Sequence, residues 1–463
     1  MPSPQLQCAT LDVPLDYRNP SGATIEVAVS RLASPNPAKR RGVLLMNPGG
    51  PGGEGLDLPV AFAILAEPEV AESYDLIGFD PRGMQYSTPV TCQFPPELQT
   101  TNVPPYARDA ADVRRRAVEV AGIARLCGDS PTAAILPHIS TANTARDMDR
   151  IRAALGEPTI SYWGLSYGTY LGAVYATLFP HRTDRIVLDS AVGPEGFDVT
   201  ASRRLALGFQ IRFPDFAAWA AQRDATYGLG ATPAAITAKY FELATRLDRE
   251  PFQGADGALF RTFTFSRLYD DRTFPELAEV WQAVDAAGPL PGRALAAQDI
   301  ENVLASQLHV ICNDTEWPES VRTYQHSVAV DRIRFPMFGA AAANIWPCAF
   351  WPIDPVERPV RIDDRGPANI LIMENLRDPA TPLPGAVELR LAFGHRARLV
   401  TVDQGGHGVY LLSASACGND MVSEFLLTGR RPARDTFCPR ETGATATRDV
   451  RPLAALLRPL GQR

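Results

Sequence analysis

This 463-residue sequence has very little lysine, no long apolar run and no excess of positive charge. Only Lys39 and Lys239 are lysines, and the 45 basic residues are outnumbered by 52 acidic ones, which gives a formal net charge of -7. The chain therefore lacks the basic surface that nucleic-acid-binding proteins carry. Its longest apolar stretches, such as residues 60–66, fall well short of the ~18 residues that a membrane-spanning helix needs. We expect neither a nucleic-acid partner nor a membrane span.

Signals for cofactors are missing as well. The seven cysteines are too widely dispersed for a zinc cluster. The glycine-rich segment 49–53 is not followed by the Gly-Lys-Ser/Thr that completes a phosphate-binding loop. We therefore expect no metal ion and no organic cofactor, which leaves the glycine-rich segment as a plain turn or as part of a catalytic site.

The segment 158–178 contains the most informative motif of the chain. Its pattern predicts a short strand, a tight turn at Ser166 and a helix, with Gly-Leu-Ser-Tyr-Gly over residues 164–168. Such a motif can arise by chance, but between a strand and a helix it is typical of a nucleophile elbow, where glycines make room around a strained serine. Ser166 is therefore the predicted nucleophile. The alternative is a glycine-rich packing turn whose serine has no catalytic role.

Strand and helix patterns alternate on both sides of this motif. The predicted strands are 10–17, 23–32, 42–46, 74–79 and 185–189, and the predicted helices are 109–125 and 141–155, the second with Thr141 as its cap. The first two strands alternate apolar and polar residues, which predicts an antiparallel hairpin, whereas the later ones are continuous apolar runs. Such alternation of strand and helix predicts an α/β fold with a doubly wound, mostly parallel sheet.

The alternation stops after residue 194. The region 195–357 has many aromatic residues and no clear buried strand, and its predicted helices are 201–223, 232–248, 275–286 and 298–311. Further strands are predicted at 370–373 and 397–402, with a helix over 384–393 between them. The expected plan is thus an α/β core over residues 1–194, an inserted helical cap over 195–357, and the remainder of the core over 358–463.

A serine nucleophile needs a base and an orienting acid, and in this strand order both should lie on loops that follow the late strands. His407 lies in the Gly-Gly-His-Gly segment 405–408 after the last of these strands, whereas His395 precedes that strand. We therefore predict His407 as the base. Asp378 follows the preceding strand and is the predicted acid, and Glu374 is the second choice and otherwise a substrate contact.

Two backbone N–H groups are expected to bind the oxyanion of an acyl-transfer reaction. One belongs to Tyr167, directly after the nucleophile, and the other to the glycine-rich loop at Gly50. One such donor is typically worth ~3 kcal/mol of transition-state stabilisation.

These motifs resemble those of the actinobacterial secreted tripeptidyl aminopeptidases and related proline-type exopeptidases of the α/β-hydrolase superfamily. The resemblance extends over nearly the whole chain and rests on the segments 8–17, 47–52, 78–83, 164–170, 377–382, 405–408 and 417–438. It implies an α/β-hydrolase with Ser166, Asp378 and His407 as the triad, and the release of short peptides from free N-termini. A carboxylesterase, a thioesterase or a biosynthetic-pathway hydrolase with the same triad is the alternative, and an intact triad argues against a non-enzymatic binding protein.

Cysteine spacing and the first residues bear on the cellular compartment. We predict three disulfides, Cys92–Cys127, Cys312–Cys348 and Cys417–Cys438, with Cys8 left over because the count is odd. Disulfides indicate an oxidising compartment, and buried thiols of a cytoplasmic enzyme are the alternative. The disulfides and the resemblance lead us to expect a secreted or cell-envelope protein. The first residues lack the basic-then-apolar pattern of a secretory signal, which keeps a cytoplasmic relative as the alternative.

An exopeptidase must also recognise a free α-ammonium group, which requires carboxylates at the end of the cleft far from the nucleophile. The predicted cap concentrates three acids in the segment 312–319, of which Asp314 and Glu316 are the expected substrate-binding residues. The alternative is a solvated acidic turn.

Overall fold

A computed structural model describes residues 6–99, 101, 103–291 and 300–441. Within them, nine strands form one sheet in the order β1-β2-β4-β3-β5-β6-β7-β8-β9. The strands are β1 (Leu6–Pro14), β2 (Thr24–Leu32), β3 (Gly42–Asn47), β4 (Tyr74–Phe79), β5 (Ile160–Leu165), β6 (Thr183–Asp189), β7 (Ile370–Arg377), β8 (Ala397–Gly405) and β9 (Thr436–Cys438). The hairpin β1–β2 joins β4 antiparallel, and all other pairs are parallel.

Helices cover both faces of this sheet. The described α-helices are α1 (Leu58–Leu65), α2 (Pro68–Ser73), α3 (Ala110–Gly128), α4 (Thr141–Ala154), α5 (Tyr167–Leu178), α6 (Val199–Ala221), α7 (Asp224–Tyr227), α8 (Pro233–Arg249), α9 (Gly257–Arg267), α10 (Phe274–Asp285), α11 (Glu301–Asp314), α12 (Val321–Arg334), α13 (Gly339–Ala342), α14 (Pro384–Ala392) and α15 (Ala416–Thr428). Short 3-10 turns occupy Pro96–Leu98, Ala133–His138, Pro180–Arg182, Asp271–Thr273, Pro347–Phe350 and Gly394–Arg396.

Successive residues of the central strands belong to two different hydrophobic cores. In β3, Val43 and Leu45 belong to the core that includes α3, α4 and α5, whereas Leu44 and Met46 belong to the core that includes α1 and α15. A strand buried on both faces in this way is a continuous apolar run, which is why the sequence pattern identified it. The predicted doubly wound, mostly parallel sheet is confirmed.

Several predicted boundaries were wrong. The cap of α4 is Ser140, whose hydroxyl accepts from the N–H of Asn143, and Thr141 is the first helical residue. Strand β7 continues to Arg377, so Glu374 lies within the strand and Asp378 follows it directly. Helices α1, α2, α7, α9, α12, α13 and α15 and strand β9 were not predicted. Strand β9 has only three residues, and α12 has no clear apolar stripe.

The segment between β6 and β7 contains no strand of the sheet among its described residues. Helices α6 to α10 surround an aromatic core of their own, which includes Phe209, Phe213, Tyr240 and Trp281. By contrast, the segment that begins with α11 contributes residues such as Leu304 to the same core as the central strands. The helical character of the insertion was predicted, whereas this division into two parts was not.

All three predicted disulfides are present. The structure links Cys92 to Cys127, Cys312 to Cys348 and Cys417 to Cys438, and leaves Cys8 free and exposed. The second disulfide ties the end of α11 to the 3-10 turn Pro347–Phe350. Separately, no helix in the described part of the chain is both long and apolar enough to cross a bilayer.

Candidate active site

Ser166 occupies a strained turn between β5 and α5. Its backbone has φ of 58° and ψ of -127°, a combination that costs a non-glycine residue about 1–3 kcal/mol. The turn is held because the N–H of Ser166 donates to the carbonyl of Asp189 at 3.0 Å, and Thr169 donates back to the Ser166 carbonyl. A Cβ at Gly164 would lie 2.4 Å from the carbonyl oxygen of Gly168, so the flanking glycine is a steric requirement.

The glycine-rich loop after β3 lies directly against this turn. Gly49 has φ of +93°, and a Cβ there would lie 2.9 Å from the Cβ of Ser166 and 3.1 Å from the backbone nitrogen of Tyr167. The loop is braced by the side chain of Asn47, which accepts from the N–H of Gly49 at 3.0 Å. The structure thus places Gly49, which precedes the predicted donor Gly50, against Ser166 and the backbone nitrogen of Tyr167.

His407 and Asp378 form a direct hydrogen-bonded pair. The Nδ1 atom of His407 lies 2.8 Å from Oδ2 of Asp378 and 3.1 Å from Oδ1. Asp378 is fully buried, and its Oδ1 also accepts from the N–H groups of Ala380 and Thr381 at 2.8 Å each. This carboxylate is therefore fixed by neutral donors on one side and orients the imidazole on the other.

The ends of β6 and β7 bring the His407 loop to the serine turn. The side chain of Asp189, whose carbonyl holds Ser166, accepts from the N–H groups of Val409 and Tyr410 at 2.8 Å each. The next residue, Ser190, accepts from the N–H of Gly408 at 2.9 Å. One strand end thus anchors both the predicted nucleophile and the predicted base.

Two further residues complete the anchoring of this loop. Asn375 on β7 donates to the carbonyl oxygens of Gly406 and Gly408 at 3.0 Å each. The backbone carbonyl of Tyr269, a residue of the insertion, accepts from the backbone N–H of His407 at 2.8 Å. The ring of Tyr269 contacts the imidazole edge-to-face, with 5.2 Å between the ring centroids. The insertion therefore contacts the predicted base directly.

Two buried carboxyl groups lie beneath the pair. Burial raises the pKa of Asp189 to about 6, despite the two N–H donors that favour its charged form. Burial, and next the charge of Asp378, raise the pKa of Glu374 well above its usual range. Glu374 accepts the N–H of Ala191 at 2.9 Å. The structure therefore places Glu374 fully inside the protein, near Asp378 and Asp189.

Asp314, at the end of α11, is connected to the serine turn through one threonine. Its Oδ1 accepts the N–H of Thr141 at 2.8 Å and its Oδ2 accepts the Thr141 hydroxyl at 2.5 Å. The Thr141 oxygen is in turn hydrogen-bonded to the hydroxyl of Tyr167. Burial raises the pKa of the Asp314 carboxyl to about 7, although its side chain is only part-buried.

Glu316 does not join this group. Glu316 lies two residues after Asp314, and the side chain of Glu316 is exposed. The structure therefore separates the two acids that the sequence analysis paired, with Asp314 adjoining the serine turn and Glu316 facing solvent.

Comparison with known proteins identifies the family. The chain is 38% identical over 461 residues to the tripeptidyl aminopeptidase of Streptomyces lividans, covering 95% of this chain and 84% of that protein. It is 30% identical to the serine protease Hip1 of Mycobacterium tuberculosis, over 93% of this chain and 87% of that protein. The family model described as "TAP-like protein" matches residues 335–438. The chain belongs to the tripeptidyl aminopeptidase-like family of α/β-hydrolases.

Membership of the tripeptidyl aminopeptidase-like family confirms the predicted α/β-hydrolase fold and the predicted class, a serine hydrolase of the peptidase type. The chain is also 31% identical to carboxylesterase B of Mycobacterium tuberculosis, over 93% of this chain and 86% of that protein.

Sequence reasoning missed the residues that join these loops. Asp189 was recognised only as the end of a strand, although a carboxylate that ends a buried strand is a signal for a site residue. Asn375, Tyr269 and Thr141 carried no signal of this kind, because their contacts join segments that are distant in the chain.

Proposed function

We propose that this protein is a serine aminopeptidase that releases short peptides from the free N-termini of peptide substrates. The observation that carries the proposal is the direct His407–Asp378 pair, whose loop is anchored on the strand end that also holds Ser166. The named tripeptidyl aminopeptidase relative supports the same reaction. The net charge of -7 disfavours binding of the polyanionic nucleic acids and is compatible with peptide substrates.

In the proposed reaction, the Ser166 hydroxyl attacks the scissile carbonyl carbon and forms an acyl-enzyme. Asp378 occupies Nδ1 of His407, which leaves Nε2 as the basic nitrogen that takes the serine proton and then passes it to the leaving amine. A water molecule, deprotonated by the same Nε2, hydrolyses the acyl-enzyme. The N–H groups of Tyr167 and Gly50 are the proposed donors to the oxyanion in both steps.

We assign the recognition of the free α-ammonium group to Asp314. A part-buried carboxylate that already lies at the edge of the serine turn provides an acceptor for a cation inside the cleft. The N-terminal end of α4, at Thr141, stabilises the charged form of this carboxylate through its N–H group. Glu316 and Glu374 remain weaker candidates, because Glu316 is exposed and Glu374 is fully buried.

A carboxylesterase is the second candidate, and the 31% identity to carboxylesterase B favours it specifically. Both reactions use the same triad, so only substrates separate them. The test is a panel of aminoacyl, dipeptidyl and tripeptidyl p-nitroanilides, with free and blocked N-termini, beside short-chain p-nitrophenyl esters. Preference for free-amine peptide anilides supports the aminopeptidase, and preference for esters or N-blocked substrates supports the esterase.

We further propose that the protein is exported to an oxidising compartment, and that residues 195–357 act as a cap over the site. The three disulfides support the first proposal, and the Tyr269–His407 contact supports the second. Counting free thiols in the denatured, unreduced protein tests the compartment. One free thiol per chain is expected, and seven would contradict it.

A further inference from the structure

His309 of α11 lies against the disulfide that joins Cys92, in the loop after β4, to Cys127, on α3. A ring nitrogen of His309 and the two sulfur atoms all lie within 4.8 Å of one another. The side chains of all three residues are fully buried. We expected no zinc cluster from the sequence because the cysteines are widely dispersed, but the fold brings two of them together with one histidine.

The hydrogen bonds of His309 leave one ring nitrogen without a partner. The Nδ1 atom lies 2.7 Å from the carbonyl oxygen of Ala305, and because a carbonyl oxygen only accepts, Nδ1 carries the proton of the neutral ring. The Nε2 atom therefore has a lone pair, and it has no hydrogen-bond partner among the residues that the structure describes. Metal-binding histidines have this arrangement, in which one ring N–H donates to a carbonyl oxygen and the other nitrogen binds the metal.

Contacts other than the disulfide also hold these groups in place. The ring of Trp351 contacts the imidazole edge-to-face, with 5.4 Å between the ring centroids. Glu301, at the start of α11, accepts from the backbone N–H of Cys92 at 2.8 Å and from that of Phe94 at 3.3 Å. The segment that contains Cys92 is therefore held next to the helix that contains His309 by bonds that do not require the S–S bond.

Two thiolates and one imidazole are a donor set that suits zinc. Zn–S distances of about 2.3 Å and Zn–N distances of about 2.0–2.1 Å place the ligand atoms of one tetrahedral site ~3.5–3.8 Å apart. Breaking the S–S bond allows the two sulfur atoms to separate to such a distance, and a ring nitrogen already lies within 4.8 Å of both. Two cysteines and one histidine leave the fourth position for a water molecule.

We infer that Cys92, Cys127 and His309 bind one zinc ion in the reduced chain, and that the disulfide replaces the ion on oxidation. A dithiol reductant transfers two electrons and two protons to the disulfide, which leaves two thiols, and is itself oxidised to a disulfide. Each thiol then loses its proton as its sulfur binds zinc, so two protons are released per ion. In the reverse direction, an external disulfide accepts two electrons from the two thiolates, the S–S bond forms and the zinc ion leaves.

This inference goes beyond the proposed peptidase function and does not depend on it. It is compatible with the proposed export, because it assigns the metal ion to the chain before the disulfide forms.

The test uses the full-length chain, reduced with dithiothreitol and freed of the reductant by gel filtration without oxygen. We expect one zinc ion per reduced chain, and the visible absorption of a tetrahedral cobalt–thiolate site when cobalt(II) replaces zinc. The oxidised chain should show neither. In an unbuffered titration, zinc should release two protons per reduced chain, and it should raise the urea midpoint of that chain.

His309→Leu removes the nitrogen ligand and should weaken zinc binding at least about a hundredfold, since losing a group that only orients a ligand already weakens binding about 10- to 100-fold. Competition with a chelator measures the dissociation constant. His326→Leu is the matched control, because His326 is exposed on α12, and it should keep the wild-type affinity. The double variant Cys417→Ser with Cys438→Ser should also keep it, because this pair belongs to no group of three ligands in the described part of the chain.

Three results would overturn the inference. The first is that reduced wild type binds no zinc, or binds it no more tightly than reduced His309→Leu does. The second is that the reduced chain unfolds and zinc does not restore its circular dichroism spectrum. The third is that the double variant of Cys417 and Cys438 loses zinc binding, which would place the metal ion at another site.

Discussion

The strand-end loops of the core and helix α11 of the insertion face the same site but are organised differently. In the core, the serine turn and the histidine loop are held largely by backbone N–H and carbonyl groups at the ends of parallel strands, as in the Ser166–Asp189 bond. On α11, the environment of the Asp314 side chain comes from packing against a distant segment, the start of α4. We therefore propose that the core supplies the chemistry and that Asp314 on α11 takes part in selecting the substrate.

The largest effect should come from the core. Ser166→Ala removes the proposed nucleophile and should lower kcat by roughly 10⁶-fold, as in other serine hydrolases, without changing substrate affinity. Initial rates of p-nitroanilide hydrolysis measure this loss, and circular dichroism confirms that the variant is folded. Activity above one per cent of wild type would remove Ser166 from the mechanism.

A slightly smaller effect is expected for Asp378→Asn. The amide can no longer accept from Nδ1 of His407 as a carboxylate does, so the imidazole adopts the wrong tautomer and kcat should fall by about 10⁴-fold. The measurement is kcat at saturating substrate. Asp403→Asn is the control, because Asp403 is a residue of β8 that forms an ion pair with Arg377 and no hydrogen bond with His407 in the described structure. Equal rates for Asp378→Asn and wild type would show that His407 is oriented by another group.

On the side of α11, Asp314→Asn should change selectivity rather than chemistry. Losing one partner of a buried charge pair commonly costs about 3–5 kcal/mol, so kcat/KM for free-amine peptides should fall at least a hundredfold. Hydrolysis of short esters should change little. Glu316→Gln is the matched comparison, because the Glu316 side chain is exposed, and it should change kcat/KM by less than threefold.

The reverse pattern, with a larger loss in Glu316→Gln than in Asp314→Asn, would assign amine recognition to the exposed acid. Equal and small losses in both variants would remove this segment from amine recognition and favour the esterase.

The smallest effect concerns stability. The folded-state pKa of Asp314 is raised from about 3.8 to about 7, so the folded protein holds a proton that the unfolded chain releases between these values. This contribution to the free energy of unfolding is therefore present at low pH and is lost as pH rises from about 4 to about 7, with a slope of at most ~1.4 kcal/mol per pH unit. Asp189, whose pKa is raised to about 6, contributes in the same direction.

Urea unfolding of wild type and Asp314→Asn at pH 5 and pH 7.5 measures this effect. The wild type should lose more stability than the variant over that interval, because asparagine does not titrate. A parallel loss in both proteins would mean that Asp314 is ionised throughout this pH range.

The sequence by itself determined the class of fold and the three predicted catalytic positions. The central strands are continuous apolar runs because both of their faces are buried, and parallel strands end at one edge of the sheet, so Ser166, Asp378 and His407 could be predicted to meet there. The disulfide pairs could also be predicted, because each joins cysteines 21 to 36 residues apart.

Only the tertiary structure decided what surrounds these residues. Asp189 reaches Tyr410 across 221 positions of the chain, and Thr141 reaches Asp314 across 173. Such contacts cannot be predicted from sequence periodicity. Each depends on how two distant elements pack together, whereas the hydrophobic pattern of an element indicates only which of its faces is buried. For the same reason, Asp314 and Glu316 look alike in the sequence, and only the packing of α11 against the serine turn separates them.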